Sequence, residues 1–164
     1  METFDAYIEM LAGSALKHVY DEKQGKLVVH RKSALPLPEH FNYGFIKGTS
    51  SEDGDPLDVF VISTKQLKLG STIQVRPIGI LYVEDEMGID NKIIAADASD
   101  GSIASLNEFH EIGEEEIRKL SYMLEHNKDG LEGRWTKVKG HGSSAEAIAE
   151  IHKSIEKANQ QAKG

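Results

Sequence analysis

Cysteine is absent from this chain of 164 residues, which excludes disulfides, thiolate zinc sites and thiol nucleophiles and leaves the redox compartment open. Aromatic residues make up only 7%, and no strand segment interleaves them with bases in the manner of a nucleic-acid-stacking face. Positive charge is the minority sign. With 19 Lys and Arg against 27 Asp and Glu, the formal net charge of −8 repels nucleic acid and anionic membranes. A polyanionic small molecule is compatible with such a field only if metals or clustered bases create a local cationic site. No run approaches the roughly 18 uninterrupted apolar residues of a membrane span. Met1 to Gly13 carries Glu2, Asp5 and Glu9 and no basic run ahead of an apolar core, so neither a signal nor a transit peptide is expected and the cytoplasm is the default. Repeats, low-complexity tracts and linkers are also missing. The length suits one domain, 1–164, with a sizeable core.

What is present divides by pattern. Lys17–Tyr20 and Lys26–Arg31 flank Asp21-Glu22-Lys23-Gln24-Gly25, a hairpin with a Gly-containing loop. Leu35-Pro36-Leu37-Pro38 cannot be a central strand, because proline lacks the ladder donor. Ile- and Val-rich β runs follow at Val59–Ser63, Ser71–Tyr82 and Lys92–Ala96, punctuated by Gly70 and Gly88. The second half turns helical. Ile117, Leu120 and Leu124 fall at helical spacing between Glu114 and about Asn127, with Glu114–Arg118 and Glu115–Lys119 as i,i+4 pairs and Gly130 near the stop. Ser143 and Glu146 form a capping-box pattern ahead of Ala147, Ile148, Ile151, Ile155 and Ala158, predicting a second helix to about residue 160. Short strands followed by terminal helices predict a mainly β fold, a closed or nearly closed small barrel with two main C-terminal α-helices packed outside.

The chemistry concentrates in two acidic segments. Asp53, Asp55 and Asp58 lie within six residues and lead into Val59-Phe60-Val61-Ile62. Carboxylates this close repel one another, and partial burial worsens the repulsion. A hard divalent cation such as Mg²⁺ or Mn²⁺, taking oxygen ligands, relieves it. Asp53 and Asp55, two apart, share a side if the segment is extended, and Pro56 stiffens the turn that brings Asp58 round. A solvated acidic turn uses the same residue types. An EF-hand does not fit: counted from Asp53, its required Gly and Glu would fall on Asp58 and Thr64. Glu84, Asp85, Glu86 and Asp90, with Lys92 close behind, form a second acidic connection between β runs. Two such loops at strand ends could converge on one mouth and hold two or more metals.

At this point the chain resembles the soluble family I inorganic pyrophosphatases. Asp53-Gly54-Asp55-Pro56-Leu57-Asp58-Val59 is similar to that family's signature. Around it stand Asn42-Tyr43-Gly44-Phe45-Ile46, Arg76-Pro77-Ile78-Gly79, the stretch from Asp85 to Lys92, and the stretch from Lys128 to Val138, in the family's order and at closely similar spacing. The likeness runs from about Ile8 to Lys157. It implies a five-stranded OB-like closed barrel with helices packed on it, a homohexamer in bacterial members, and Mg²⁺-dependent cleavage of pyrophosphate into two phosphates. By position it implies that Asp53, Asp58 and Asp90 hold a first metal, with Asp58 bridging to a second. Asp85 and Asp90 would hold a metal arriving with substrate, with Glu9 and Glu86 as outer or water-mediated support. Asp55 takes the place of the general base, and Lys17, Arg31, Tyr43, Lys92 and Lys128 take the phosphate-binding places. The rival readings are a hydrolase of a nucleotide or organic phosphoanhydride, and a weakly active metal- or phosphate-binding homologue.

Several positions depart from that family's pattern, and they cluster around the implied site. Val19 replaces an acid, so any outer metal site relying on that carboxylate is expected to be weakened. Glu39 and Asn127 replace tyrosines, His30 replaces an acid, and Leu11 replaces a proline. A carboxylate at Glu39 would repel a tetra-anionic substrate unless it points away, pairs with His40 or Lys32, or recruits a cation.

Overall fold

A computed structural model of the chain describes residues 2–163. The elements run β1 (Phe4–Met10), β2 (Leu16–Asp21), β3 (Lys26–Lys32), β4 (Phe41–Ile46), β5 (Asp58–Ile62), β6 (Thr72–Asp85), β7 (Gly88–Ile89), β8 (Lys92–Asp97), α1 (Glu114–His126), β9 (Thr136–Gly142) and α2 (Ser144–Lys163). The fold is mainly β with two helices, as expected. The hairpin, the three β runs and both helices appear where the patterns put them. Strands β1, β4 and β9 do not follow from those patterns. Each carries residues of poor strand propensity, such as Asp5 and Glu9, Asn42 and Gly44, or Gly140 and Gly142, and is held by its partner strands instead.

The main sheet runs β1-β4-β5-β8-β6-β7, with β9 on β6, and β1 also pairs β6. Tyr7 therefore faces Phe45 across one edge of its strand and Thr72 across the other. Pairing β5 with β8 is parallel, Val59 against Ile93, while the other pairings are antiparallel. Strands β2 and β3 form a separate ribbon. Gly44 is dictated by strand approach, because a Cβ there would lie 1.8 Å from the Tyr7 carbonyl oxygen.

Strands β5 and β8 read as unbroken apolar runs because both of their faces are buried. Phe60, Ile62, Ile94 and Ala96 join Leu120, Met123 and Leu124 of α1 in one cluster. Val59, Val61, Ile93 and Ala95 join Ala147 and Ile151 of α2 in the other. The period-2 alternation of the strands thus meets the 3.6 period of a helix on each side. Ile151 is completely buried, and truncating such a side chain costs about 2–5 kcal/mol.

Two local details differ from expectation. On α1 the ion pairs are i,i+3, Arg118 with Glu115 and Lys119 with Glu116, rather than i,i+4. Both spacings put the partners on one helix face. At α2 the Ser143 hydroxyl accepts the Glu146 amide at 3.2 Å, but the Glu146 carboxylate accepts the Tyr82 hydroxyl at 2.8 Å instead of folding back on the cap. The helix extends to Lys163.

Candidate active site

The parallel pairing of β5 and β8 fixes the centre of the site. Asp58 and Lys92 are each the first residue of their strand, and the register Val59 with Ile93 sets them side by side. Antiparallel β6 ends on Asp85 at the same edge, and the short turn through β7 returns Asp90 there. Tyr43 enters from β4, opposite Phe60. Lys17 and Arg31 are direct cross-strand partners on the β2–β3 ribbon, so one ribbon delivers two cations. Lys128 arrives from the connection after α1.

These side chains line one cavity of about 360 Å³. Its wall includes the carboxylates of Glu9, Asp53, Asp55, Asp58, Asp85 and Asp90 and the cations of Lys17, Arg31, Lys92, Lys128 and Arg134, with Tyr43 and Asn127 between them. Every candidate read from the sequence is there except Glu86. Sequence reasoning gives Arg134 no role, although it falls inside the Lys128–Val138 stretch that carries the family resemblance.

Lys92 is the buried cation of the site. Its ammonium lies 2.5 Å from Asp58, 2.8 Å from Asp90 and 3.2 Å from the Tyr43 hydroxyl. Burial works against its charge, but Asp58, Tyr43 and Asp90 outweigh that and hold its pKa well above the usual lysine value. Burial pushes the Tyr43 phenol up, and Asp58 adds to the effect. Burial likewise raises Asp90, opposed by Lys92 and reinforced by Asp58 and Asp85. Glu9 is raised by burial, with Lys17 opposing and Asp58 assisting. The Lys17 and Lys92 ammonium groups each stand 5.7 Å from the Tyr43 ring centroid, within cation–π range.

The β4–β5 loop is a turn, so the extended geometry that would put Asp53 and Asp55 on one side does not arise. Gly54, at φ 87°, allows the turn. The Ser51 hydroxyl donates to Asp53 Oδ1 at 2.6 Å, and the Asp55 amide donates to the same atom at 2.9 Å. Burial raises the Asp53 pKa, yet these bonds outweigh it and leave the group below the usual range. The Asp55 backbone is anchored through its carbonyl, which accepts the Ser51 amide at 2.7 Å. No other side chain engages its carboxylate among the described residues.

The departures sort differently. Glu39 is not on the cavity wall; its side chain is 87% exposed and lies 3.6 Å from His40 Nε2. Val19 and His30 also lie off the wall, and Leu11 packs on the α2-side core. Asn127 is on the wall, and its buried Oδ1 has no partner among the described residues.

Chemically, the cavity is an oxygen-donor site for hard cations set against clustered bases. Among the described residues no three carboxylates or histidines converge closely enough to form a ready-made metal cage. Lys92 occupies the space between Asp58 and Asp90. The donor chemistry nevertheless fits divalent ions: six carboxylates against five cations leave no surplus positive charge for a polyanion. No helix is long and apolar enough to cross a membrane among the described residues.

A family model described as inorganic pyrophosphatase matches residues 6–159. The inorganic pyrophosphatase of Sulfolobus acidocaldarius is 40% identical over 158 residues, spanning 95% of this chain and 91% of that one. The Saccharolobus solfataricus inorganic pyrophosphatase is 38% identical over 161 residues, 97% and 94% of the two chains. Among solved structures, the Thermus thermophilus inorganic pyrophosphatase superposes with a TM-score of 0.88 at 32% identity, covering 96% of this chain and 92% of its own. The Helicobacter pylori inorganic pyrophosphatase gives 0.88 at 30%, covering 96% and 94%. By family match, sequence and fold together, this chain belongs to the inorganic pyrophosphatases.

Proposed function

We propose that the chain hydrolyses inorganic pyrophosphate to two phosphates, with Mg²⁺ as its working ion and Mn²⁺ as a substitute. The observation that carries this reading is the single cavity in which six carboxylates face five cations. A pyrophosphate entering it adds only negative charge, so binding needs divalent ions as well as the bases. Asp53, Asp58, Asp85 and Asp90 are the residues to hold them, with Glu9 as outer support; Glu86, expected beside it from the resemblance, lies off the cavity wall and is engaged by Lys128 and Arg134. Ions bound there would neutralise phosphoryl charge and make a water acidic enough to lose its proton near neutral pH.

The remaining work falls to the chain's own groups. Asp55, whose carboxylate is otherwise unengaged, takes the proton from the attacking water. The hydroxide oxygen bonds to one phosphorus as the bridging P–O bond breaks, and the bridging oxygen leaves with the second phosphate. Lys17, Arg31, Lys92 and Lys128 meet the charge on both phosphoryl groups, and the Tyr43 hydroxyl, kept protonated by its burial, donates to a phosphate oxygen. No covalent enzyme intermediate is needed.

We further read the five strands β1, β4, β5, β8 and β6 as a closed OB-like barrel, supported by the pairing of β1 with both β4 and β6. On this reading 1–164 is a single domain and the protein is a cytoplasmic homohexamer. Sedimentation giving a monomer would remove the last point. The decisive assay is phosphate release from pyrophosphate with and without Mg²⁺. Asp55→Asn should cost at least about a hundredfold in kcat, the usual worth of a positioned general base. Wild-type turnover in that variant would dismiss Asp55 as the base.

A further inference from the structure

The connection from α1 to β9 carries two cavity cations, Lys128 and Arg134, on a stretch with almost no core of its own. Residues 129–135 are all exposed. Gly130 and Gly133 sit at φ 88° and 72°, and the internal bonds are local turns, such as Leu131 amide to Lys128 carbonyl at 3.1 Å. Such a segment is entropically costly to hold in one shape.

Among the described residues, every hydrogen bond or ion pair that ties 128–135 to the sheet ends on Asp85 or Glu86, and Glu86 carries most of them. One oxygen of Glu86 accepts the Trp135 amide at 2.9 Å and lies 3.3 Å from Lys128 Nζ and 3.4 Å from Arg134 Nε. Its other oxygen is also 3.3 Å from Lys128 Nζ. The Glu86 side chain is only 16% exposed and does not line the cavity. Its pKa is held below the usual range, first by the Trp135 amide, with burial opposing and Lys128 and Arg134 assisting.

We infer that Glu86 is a positioning residue: a clasp that fastens the Lys128–Arg134 connection to the end of β6 and aims both cations at the distal part of a diphosphate. It contacts neither substrate nor the reacting atoms, and it acts through the two bases. Arg134 thereby becomes a substrate-binding cation. The inference rests on the diphosphate reading of the cavity and deepens it.

The test uses the full chain and a non-hydrolysable diphosphate, methylenediphosphonate, titrated calorimetrically in saturating Mg²⁺, together with steady-state kinetics on pyrophosphate. Glu86→Gln keeps an acceptor for the Trp135 amide but removes the charge. It should weaken diphosphonate binding and raise KM by about tenfold, with kcat changed by less than about threefold and the Mg²⁺ activation midpoint within about twofold. In a Lys128→Ala, Arg134→Ala background, Glu86→Gln should add less than about twofold, since nothing remains to aim. Undiminished diphosphonate affinity in Glu86→Gln, or an equal loss in the double-alanine background, overturns the clasp. So does a tenfold shift in the Mg²⁺ midpoint at unchanged anion affinity, which would make Glu86 metal support only. Because binding is read without turnover, a clasp failure stays distinguishable from a failure to cleave pyrophosphate. Asp85→Asn serves as the contrast, since it should move the Mg²⁺ midpoint.

Discussion

Lys92 and Asp58, the opening residues of two parallel neighbouring strands, form an ion pair of 2.5 Å at the floor of the cavity. The lysine side chain is 8% exposed and the aspartate 23%, so little water shares the pair. A second carboxylate, Asp90, reaches the same ammonium at 2.8 Å. Taking away one partner of such a buried arrangement leaves uncompensated charge, which costs more than the pair itself contributes.

Lys92→Met should therefore destabilise the metal-free protein by about 3 kcal/mol. Part of that loss should return in saturating Mg²⁺, because ions binding Asp58 and Asp90 in the native state alone add stability by mass action. Urea denaturation in chelator and in Mg²⁺ measures both numbers. An equal loss in the two conditions would show that lysine and metal do not serve the same carboxylates.

Glu9 provides a pH test. Burial raises its carboxyl pKa in the native state, with Lys17 pulling the other way. The native group then binds its proton more tightly than the unfolded one, and metal-free stability falls as pH climbs from the ordinary glutamate value through the raised native value. Glu9→Gln abolishes that cost. Its melting temperature should exceed wild type near pH 7 in chelator and converge with it below about pH 4, where both forms are neutral. A variant less stable than wild type near pH 7 would mean that attraction to Lys17 and Arg31 prevails over burial.

Glu39 should be kinetically quiet. Its carboxylate is 87% exposed and beside His40, and solvent and salt screen it from the cavity. Glu39→Gln should leave KM for pyrophosphate within about twofold at physiological ionic strength. A larger fall in KM would place this carboxylate in the substrate's field.

Gly44→Ala tests the close approach of β1 and β4. The added methyl meets the Tyr7 carbonyl, a backbone atom that cannot swing aside. A loss of about 3 kcal/mol is expected, read by chemical denaturation. Unchanged stability would show that the two strands part without cost.

Much of this fold is legible in the sequence. Unbroken apolar runs marked β5 and β8, helical spacing marked α1 and α2, and a Gly-containing turn marked the β2–β3 ribbon. The acidic segments declared themselves because three aspartates within six residues demand a counter-charge. Strand β9, Thr136–Gly142, left no such mark: its glycines and lysines suit a loop, and only pairing with β6 makes it a strand. The spacing of Asp53 and Asp55 pairs them, but their turn depends on the Ser51 hydroxyl, which periodicity cannot register.

Local chemistry in the chain marked the two acidic segments, and the family resemblance marked by position most of the other side chains that line the cavity. Tertiary structure decided their company. Only the parallel register puts Lys92 against Asp58, only the fold carries Arg134 to the cavity wall, and only the packing turns Glu39 outward and leaves Glu86 behind Lys128. Those outcomes depend on pairings between residues far apart in the chain, and each such pairing is a free-energy difference between whole arrangements that no short stretch of sequence contains.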